Sequence, residues 1–280
     1  MKPTTRRTVS LTLVFALAGL GAACSSDAST SGASGADTTS TPTGGSTSGA
    51  SASTGATTGS TGPSIVLPVG SEPVSLDPDA FVPTVDNPFW PLSPGSRWVY
   101  RETSGDGEVF RVVVTVTSQT KQILGIDATV VHDVVSSGHE VVEDTFDWYA
   151  QDVNGNVWYL GEDTKEFKHG EVVSTEGSWE AGVDGAQPGV ILPANPTPEL
   201  TYREEYLEGQ AEDAATVLGV DERVQVPFGT FKDVLFTKNY TPLQPNLVEH
   251  KFYAAGVGQV MAITVSGGSD REELLSYRSG

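Results

Sequence analysis

The alternation of apolar and polar side chains from Arg97 onward constrains the fold more than any other feature of the sequence. Phe110, Val112, Val114 and Val116 occupy every second position of one run, the period of a strand with one buried face. Other β-rich runs follow at 126–135, 139–150, 156–160, 201–208, 213–218, 222–227, 233–240, 249–255 and 259–265. No stretch after residue 64 keeps a helical period. The sequence therefore predicts a mostly β domain over residues 95–280, built as a single antiparallel curved sheet, a half-barrel or barrel-like.

Two proline-rich stretches interrupt this pattern. Prolines recur throughout residues 63–94, where they exclude a helix or a central strand, so we expect an extended arm that packs through Phe81, Phe89 and Trp90. Residues 181–200 contain four more of the prolines. We expect a long loop there, whose apolar centre at residues 190–192 covers part of the domain.

The N-terminal segment has the features of an export signal. Lys2, Arg6 and Arg7 precede an apolar run over residues 9–23 that is too short to span a bilayer. The run ends at the chain's one cysteine, Cys24, after small residues that resemble a bacterial lipobox. We therefore predict a lipoprotein signal peptide over residues 1–23 and a diacylated Cys24 that anchors the chain to a membrane. The paired arginines leave general secretion and twin-arginine export both open.

A low-complexity segment separates Cys24 from the arm. Apart from Asp27, Asp37 and Pro42, every residue from Ser25 to Gly62 is Ser, Thr, Gly or Ala. Such a composition buries too little apolar surface to offset the entropy of ordering. Residues 24–62 are thus predicted to be a lipidated cysteine followed by a disordered tether, which would hold the domain away from the membrane.

Charge and cysteine content exclude several classes of function. The chain has 36 acidic and 16 basic residues, a formal net charge of −20, which argues against nucleic acid as a partner. A single cysteine excludes a disulfide framework and a cysteine-rich metal site. We find no nucleophile elbow, P-loop or zinc-protease motif, so the sequence predicts no catalytic residue and no cofactor.

Three segments resemble motifs of bacterial lipoproteins and secreted β domains of unknown activity. Residues 94–100 (PGSRWVY) resemble their PGxxWxY opening, residues 226–231 (VPFGTF) their VPxGTF turn, and residues 253–260 (YAAGVGQV) their YxxGVGxV segment. The aromatic residues of 147–159 fit the same picture. The resemblance covers residues 88–265 and implies a curved antiparallel sheet or half-barrel. It carries no catalytic or ligand-binding residues with it.

One strand suggests a ligand site. In the run 139–150, Asp144 shares the even-numbered face with Val142, Phe146 and Trp148, and we expect this face to be buried. A carboxylate on an apolar face must be paired, neutral or directed into a cavity. Two interpretations remain open: a buried partner such as an arginine, or a polar anchor at the bottom of a ligand pocket.

Four aromatic residues on two strands joined by one turn extend this candidate site. They are Trp148, Tyr149, Trp158 and Tyr159. Cross-strand aromatic pairs stabilise hairpins, so core packing alone would explain them. Their outward members could instead form a platform for a sugar ring or a partner peptide.

A calcium loop is the one metal site that the sequence suggests. Asp152, Asn154 and Asn156 supply oxygens at positions 1, 3 and 5, and Asp163 falls at position 12. Position 6 is Val157, where the calcium loop requires glycine. A hairpin turn explains the segment better, and we predict no metal.

The predicted protein is a lipid-anchored lipoprotein on the extracytoplasmic face of the cell membrane. We expect a non-enzymatic binding module for an apolar or amphipathic ligand or an envelope protein. One alternative is a hydrolase of envelope polymers that uses carboxylates such as Asp144 and Asp147, although these face opposite ways on one strand. The other alternative is a purely structural or assembly role at the surface.

Overall fold

A computed structural model describes residues 66–280, in which nearly all regular structure is β-strand. One short 3-10 helix, Pro78–Ala80, precedes the first strand. The first eight strands are β1 (Phe81–Val82), β2 (Arg97–Thr103), β3 (Val109–Ile123), β4 (Ile126–Ser137), β5 (Glu140–Asp152), β6 (Val157–Lys168), β7 (Glu171–Ser174) and β8 (Trp179–Glu180). The others are β9 (Gln187–Leu192), β10 (Thr201–Arg203), β11 (Glu205–Tyr206), β12 (Ala214–Val226), β13 (Gly229–Tyr240), β14 (Val248–Ala254), β15 (Gly258–Ser266) and β16 (Arg271–Arg278).

The strands form one antiparallel sheet that nearly closes into a barrel. Its order is β10-β12-β13-β14-β15-β16-β2-β3-β4-β5-β6-β9-β11, with β1 paired to β5 and both β7 and β8 paired to β6. Only Glu204 separates β10 from β11 in the chain, so the two ends of this path lie side by side. In β9, Gly189 approaches the backbone carbonyl of Glu204 so closely that a Cβ would collide with it. The predicted mostly β fold with a single curved antiparallel sheet is confirmed.

The arm contributes an aromatic side chain to the interior of the barrel. Trp90 is buried and makes edge contacts with Tyr149 of β5 and Tyr253 of β14, at 5.8 Å between ring centroids in each case. Since β5 and β14 are six positions apart in the sheet order, these rings belong to different walls. Trp90 therefore joins two walls across the interior, while Phe81 in β1 pairs with the end of β5.

The prediction of a loop over residues 181–200 is wrong for the centre of this segment. Residues 187–192 form β9, which pairs with β6 and β11 and buries Val190 and Leu192 completely. The prolines are compatible with this strand because Pro188 lies near its start and Pro193 follows its end.

The segments that carry the family resemblance fall at strand ends and turns. Residues 94–100 run into β2, residues 226–231 form the turn between β12 and β13, and residues 253–260 form the turn between β14 and β15. Cys24, the signal segment and the tether lie outside the described residues.

Candidate functional site

A pocket of about 390 Å³ opens beside β5 and β6, and we call it the Trp148 pocket. It is lined by Lys121, Trp148, Glu162, Asp163, Ser178, Trp179, Glu180, Val183, Asp184, Leu207 and Gln210. Its volume lies within the range of small-molecule sites, roughly 300–1,000 Å³. Two indole rings and several carboxyl groups therefore share a space that could hold a small ligand.

One wall of this pocket holds an ammonium group against an indole ring. The Lys121 Nζ lies 3.1 Å from the centroid of the Trp148 ring, and it also donates to the Glu180 Oε2 at 2.7 Å. An ammonium over an aromatic face is attracted by the negative potential of that face. The Lys121 ammonium is therefore held on this wall by both an indole face and a carboxylate.

A glycine allows β8 to reach this pocket. Gly161 in β6 has φ +130°, and a Cβ there would collide with the backbone carbonyl of Trp179. β8 pairs with β6 at this glycine and at Glu162. This close approach positions Trp179 and Glu180 at the pocket, so a larger residue at position 161 would displace both.

Glu162 is the least exposed of the lining residues. Its side chain is buried with 1% of its surface accessible, and its carboxyl accepts from the Tyr159 hydroxyl. Burial raises the pKa of Glu162 well above its ordinary value, and the carboxyls of Asp147, Glu205 and Glu143 raise it further. The nearby Tyr159 hydroxyl offsets part of this rise. Glu162 is thus a desolvated acid at the edge of an open pocket.

Asp147 lies directly opposite Glu162 on the neighbouring strand. It accepts a hydrogen bond of 2.7 Å from the Tyr159 hydroxyl. Burial raises the pKa of Asp147 to about 7, although the Tyr159 and Tyr149 hydroxyls lower it in part. The two carboxyls form a close acidic pair inside the barrel.

This pair belongs to a larger set of buried acids. The others are Glu102, Asp133, Glu143, Asp152, Glu204, Glu205, Asp213, Glu249 and Glu272. Burial is the first cause of a raised pKa for Glu102, which reaches about 8, and for Asp133 and Glu272. Burial lowers the pKa of Lys251, but the surrounding carboxyls of Glu204, Glu249, Asp213 and Glu272 raise it by more, so the net shift is upward.

Asp144 lies on the outer face of the barrel, so the expectation that the even-numbered face of β5 is its buried face is wrong. The odd-numbered side chains of Glu143, Thr145 and Asp147 are the buried ones. Asp144 is about one-third exposed and pairs with His132 at 2.8 Å. It lines a second open pocket, of about 520 Å³, which is formed by β5, β6 and the β6–β7 turn. Neither a buried arginine nor the Trp148 pocket contacts it.

The four aromatic residues of the predicted site do not all lie on the same face of β5 and β6. Trp148 lines the Trp148 pocket. Tyr149 and Tyr159 stack at 4.9 Å in the interior, and Tyr159 makes an edge contact with Trp179 at 5.3 Å. Trp158 is fully buried and packs against Phe81 of the arm. A ligand-binding role for these residues stays a prediction, and the geometry favours Trp148.

The weak candidate for a calcium loop, at Asp152, is a hydrogen-bonded turn. The Asp152 Oδ1 accepts from the backbone N–H groups of Asn154 and Asn156, and the Oδ2 accepts from the Asn156 amide and the Trp158 indole. Asp163 instead pairs with Lys165 at 2.8 Å. Both Asp152 oxygens are therefore occupied by donors. Within residues 66–280, no group of three or more His, Cys, Asp or Glu side chains could hold a metal ion.

Glu162 was missed by the sequence reasoning, although a signal was present. Glu162 and Thr164 alternate with half-buried residues along β6, as Thr145 and Asp147 do along β5. Two aligned rows of polar side chains on neighbouring strands indicate a polar interior. We assigned the apolar row of β5 to the interior because burial usually follows hydrophobicity.

The comparisons with known proteins add little to this picture. No protein-family model matches the chain, and no curated protein matches it. Among solved structures, one similar chain comes from Bacteroides fragilis and is described as a "putative exported protein with YmcC-like fold", with 14% identity and a TM-score of 0.40 over 68% of this chain and 99% of that one. Another, a "putative lipoprotein" from Parabacteroides distasonis, has 11% identity and a TM-score of 0.39 over 68% of this chain and 98% of that one.

The fold and the site together define a class: a barrel-shaped β protein with a pocket of small-molecule size in its wall. Among residues 66–280, no helix is long and apolar enough to cross a membrane.

Proposed function

We propose that this chain is an exported, lipid-anchored protein that binds a small apolar or amphipathic ligand in the Trp148 pocket. The anchor rests on the sequence, in which an apolar run ends in small residues before Cys24. The single observation that carries the binding role is an open pocket of about 390 Å³ that is lined by the indoles of Trp148 and Trp179 together with polar side chains. Aromatic surface combined with polar groups is typical of ligand sites.

The binding role is tested by native mass spectrometry of the chain purified from membranes of its bacterial host. We expect a reproducible added mass that is lost when the protein is denatured. Trp148→Ala removes one wall of the pocket and should abolish the added mass. Phe146→Ala is the matched control, because Phe146 lies on the same face of β5, stacks on His132 and does not line the pocket.

A bare polypeptide mass for the wild-type chain in several preparations would contradict the binding role. It would instead favour an assembly role at the surface. An added mass that persists in the Trp148→Ala variant would place the ligand elsewhere and contradict the assignment of this pocket.

Lipid anchoring has its own test. Cys24→Ser removes the only thiol to which the acyl groups could be attached. We expect the wild-type chain to partition into the detergent phase of a Triton X-114 extraction and the variant to lose the mass of a diacylglyceryl group. An unmodified wild-type Cys24, or a chain cut elsewhere, would contradict this part of the proposal.

The acidic pair gives a second candidate function some support. A glycoside hydrolase typically uses two carboxyls, and Asp144 cannot serve with Asp147 because the two side chains lie on opposite faces of β5. Glu162 lies directly opposite Asp147 and could take that place. Such an enzyme would release soluble fragments from envelope polysaccharide, and Glu162→Gln would stop the release. If the polymer stays intact after prolonged incubation with the wild-type chain, the hydrolase is contradicted and ligand binding is the one proposed function that is left.

A further inference from the structure

We infer that the free edge of β7 binds an extended, basic segment of a partner protein, which adds to the sheet as one more strand. We call this surface the β7 edge, and it consists of residues 171–174. It shares no residue with the Trp148 pocket, so the inference does not depend on the ligand proposed there. Three observations support it: the backbone groups that the edge leaves open, the side chains that it exposes and the charges that surround it.

The first observation is that β7 is paired along one side only. Its partner is β6, and the sheet order places no other described strand against it. The turn between the two strands has two residues, His169 and Gly170, and both have positive φ. This is the geometry of a tight hairpin, in which the residues that flank the turn form a hydrogen-bonded pair and the next pair does not.

The backbone of Val172 therefore faces the open side. Lys168 and Glu171 are the pair that flanks the turn, and Val172 forms the next pair with Phe167. In a non-hydrogen-bonded pair, the N–H and C=O groups point away from the partner strand. No backbone hydrogen bond from elsewhere in the described part of the chain reaches Val172. Its donor and its acceptor are thus both available to an added strand.

The second observation is that the β7 edge exposes apolar side chains. Val172 is 51% exposed and Val173 is 58% exposed. An exposed apolar edge favours pairing with another strand, and natural edges are commonly protected by charged side chains or bulges. β12 has such protection, because charged residues 221–223 follow its pairing with β10 and three register shifts interrupt its pairing with β13. The β7 edge instead offers two adjacent valines that an added strand would cover.

The third observation is an excess of acid around the edge. Glu171 belongs to β7, Glu166 lies in the paired segment of β6, and Glu176 follows β7. Burial raises the pKa of Glu166 and the Glu176 carboxylate raises it further, which indicates that these two acids lie near each other. Lys168 is the one basic residue in the paired segments, and no ion pair in the described part of the chain involves these acids. A basic segment is therefore attracted to the edge.

Charge and composition favour another protein as the occupant. A second copy would bring an equally acidic edge against this one, and each chain has a formal net charge of −20. Residues 25–62 of this chain contain two aspartates, no basic residue and no apolar side chain larger than alanine. They would neither compensate the acids nor pack against the valines. The occupant is thus a segment in which apolar residues alternate with lysine or arginine.

The test compares three synthetic peptides, each acetylated, amidated and labelled with fluorescein: KVKVKVK, KGKGKGK and EVEVEVE. They are titrated into the full chain in nanodiscs of neutral phosphatidylcholine and followed by fluorescence anisotropy. We expect KVKVKVK to bind at least about tenfold more tightly than KGKGKGK, which has the same charge but little tendency to form a strand. EVEVEVE should bind more weakly than both. Bound KVKVKVK should also slow hydrogen–deuterium exchange in residues 171–174.

Two substitutions at one position assign the binding to the backbone of the β7 edge. Val172→Pro removes the open N–H, and proline is tolerated at an edge position whose N–H faces solvent. This variant should bind KVKVKVK at least about tenfold more weakly than the wild type. Val172→Thr is the matched control, because it keeps the N–H and a β-branched side chain, and its affinity should stay within about threefold of the wild type.

A second pair of variants keeps the test valid if Val172→Pro does not fold. Val173→Lys adds a positive charge to the edge and removes an exposed valine, so it should weaken the binding of KVKVKVK at least about fivefold. Val109→Lys is its control, because Val109 is 53% exposed at the start of β3 and lies outside the β7 edge. This control should leave the affinity unchanged.

Four results would overturn the inference. Equal affinity for KVKVKVK and KGKGKGK would show attraction by charge alone, without an added strand. Binding of KVKVKVK that survives Val172→Pro and Val173→Lys would place it away from β7. A dimer of the wild-type chain that Val172→Pro abolishes would make a second copy the occupant. No binding of KVKVKVK would refute the β7 edge as a docking surface and would leave the Trp148 pocket unaffected.

Discussion

Replacing Glu102 by glutamine should stabilise the protein increasingly as the pH rises. Glu102 in β2 is buried at 4% exposure. Burial raises its pKa to about 8, and the neighbouring Asp270 and Glu249 carboxyls contribute to the shift. In the unfolded chain the same group has a pKa near its ordinary value of 4.5. Glutamine keeps the shape of the side chain and removes the proton equilibrium.

The magnitude follows from the two pKa values. Between them, the folded chain retains a proton on Glu102 that the unfolded chain releases, so the free energy of unfolding decreases by about 1.4 kcal/mol per pH unit. This stability is fully present below the unfolded pKa and is lost as the pH rises through the folded pKa. From about pH 5 to about pH 7.5, the wild type should lose about 3 kcal/mol through this group, and the variant should not.

Urea unfolding at several pH values, followed by tryptophan fluorescence, measures this difference. We expect the stability of Glu102→Gln relative to wild type to increase steadily over that range. Glu171→Gln, at an exposed position of β7, removes one acidic group without the burial and should show no such trend. A stability difference between Glu102→Gln and wild type that does not change with pH would refute the assignment of a buried, protonated acid.

Three further predictions concern packing and surface pairs, each measured by urea unfolding. Trp90→Ala should lower the free energy of unfolding by about 3–5 kcal/mol, because it removes the edge contacts to Tyr149 and Tyr253; a loss below about 1 kcal/mol would contradict an arm that fills the interior. Asp152→Ala should cost about 3 kcal/mol or more, since four donors lose their acceptor, and added calcium should leave the wild-type stability unchanged. Asp144→Ala should cost less than about 1 kcal/mol, as expected for an exposed ion pair, and a larger loss would indicate a buried role.

The fold could be predicted from the sequence because alternation and turns are local signals. The run at Phe110 became β3, and the predicted runs after it fall in β4 to β6 and β10 to β15. The run 156–160 covers less than half of β6, the runs 213–218 and 222–227 form the single strand β12, and β16 was not predicted. β9 was missed because prolines at both of its ends suggested a loop. Its pairing partners, β6 and β11, lie on either side of it in the chain, and nothing in the local sequence signals that pairing.

The site was only partly predictable, for a physical reason. Hydrophobicity assigned Val142, Phe146 and Trp148 to the interior, yet these residues lie on the outer face of β5. Phe146 is covered there by the stacked His132 ring, 4.3 Å away between centroids, and Trp148 by Lys121. The interior instead contains acids, which become tolerable when their pKa values rise and they hold protons. A sequence gives no direct indication of such proton uptake.

The most direct test of the proposed function is a crystal structure of the protein with 2-(4-bromophenyl)ethanol, an amphipathic aromatic probe whose bromine is located by anomalous scattering. We expect the bromine in the Trp148 pocket, in contact with the Trp148 indole. Bromine signal only at other places on the protein, with the Trp148 pocket unchanged, would contradict the proposed binding role.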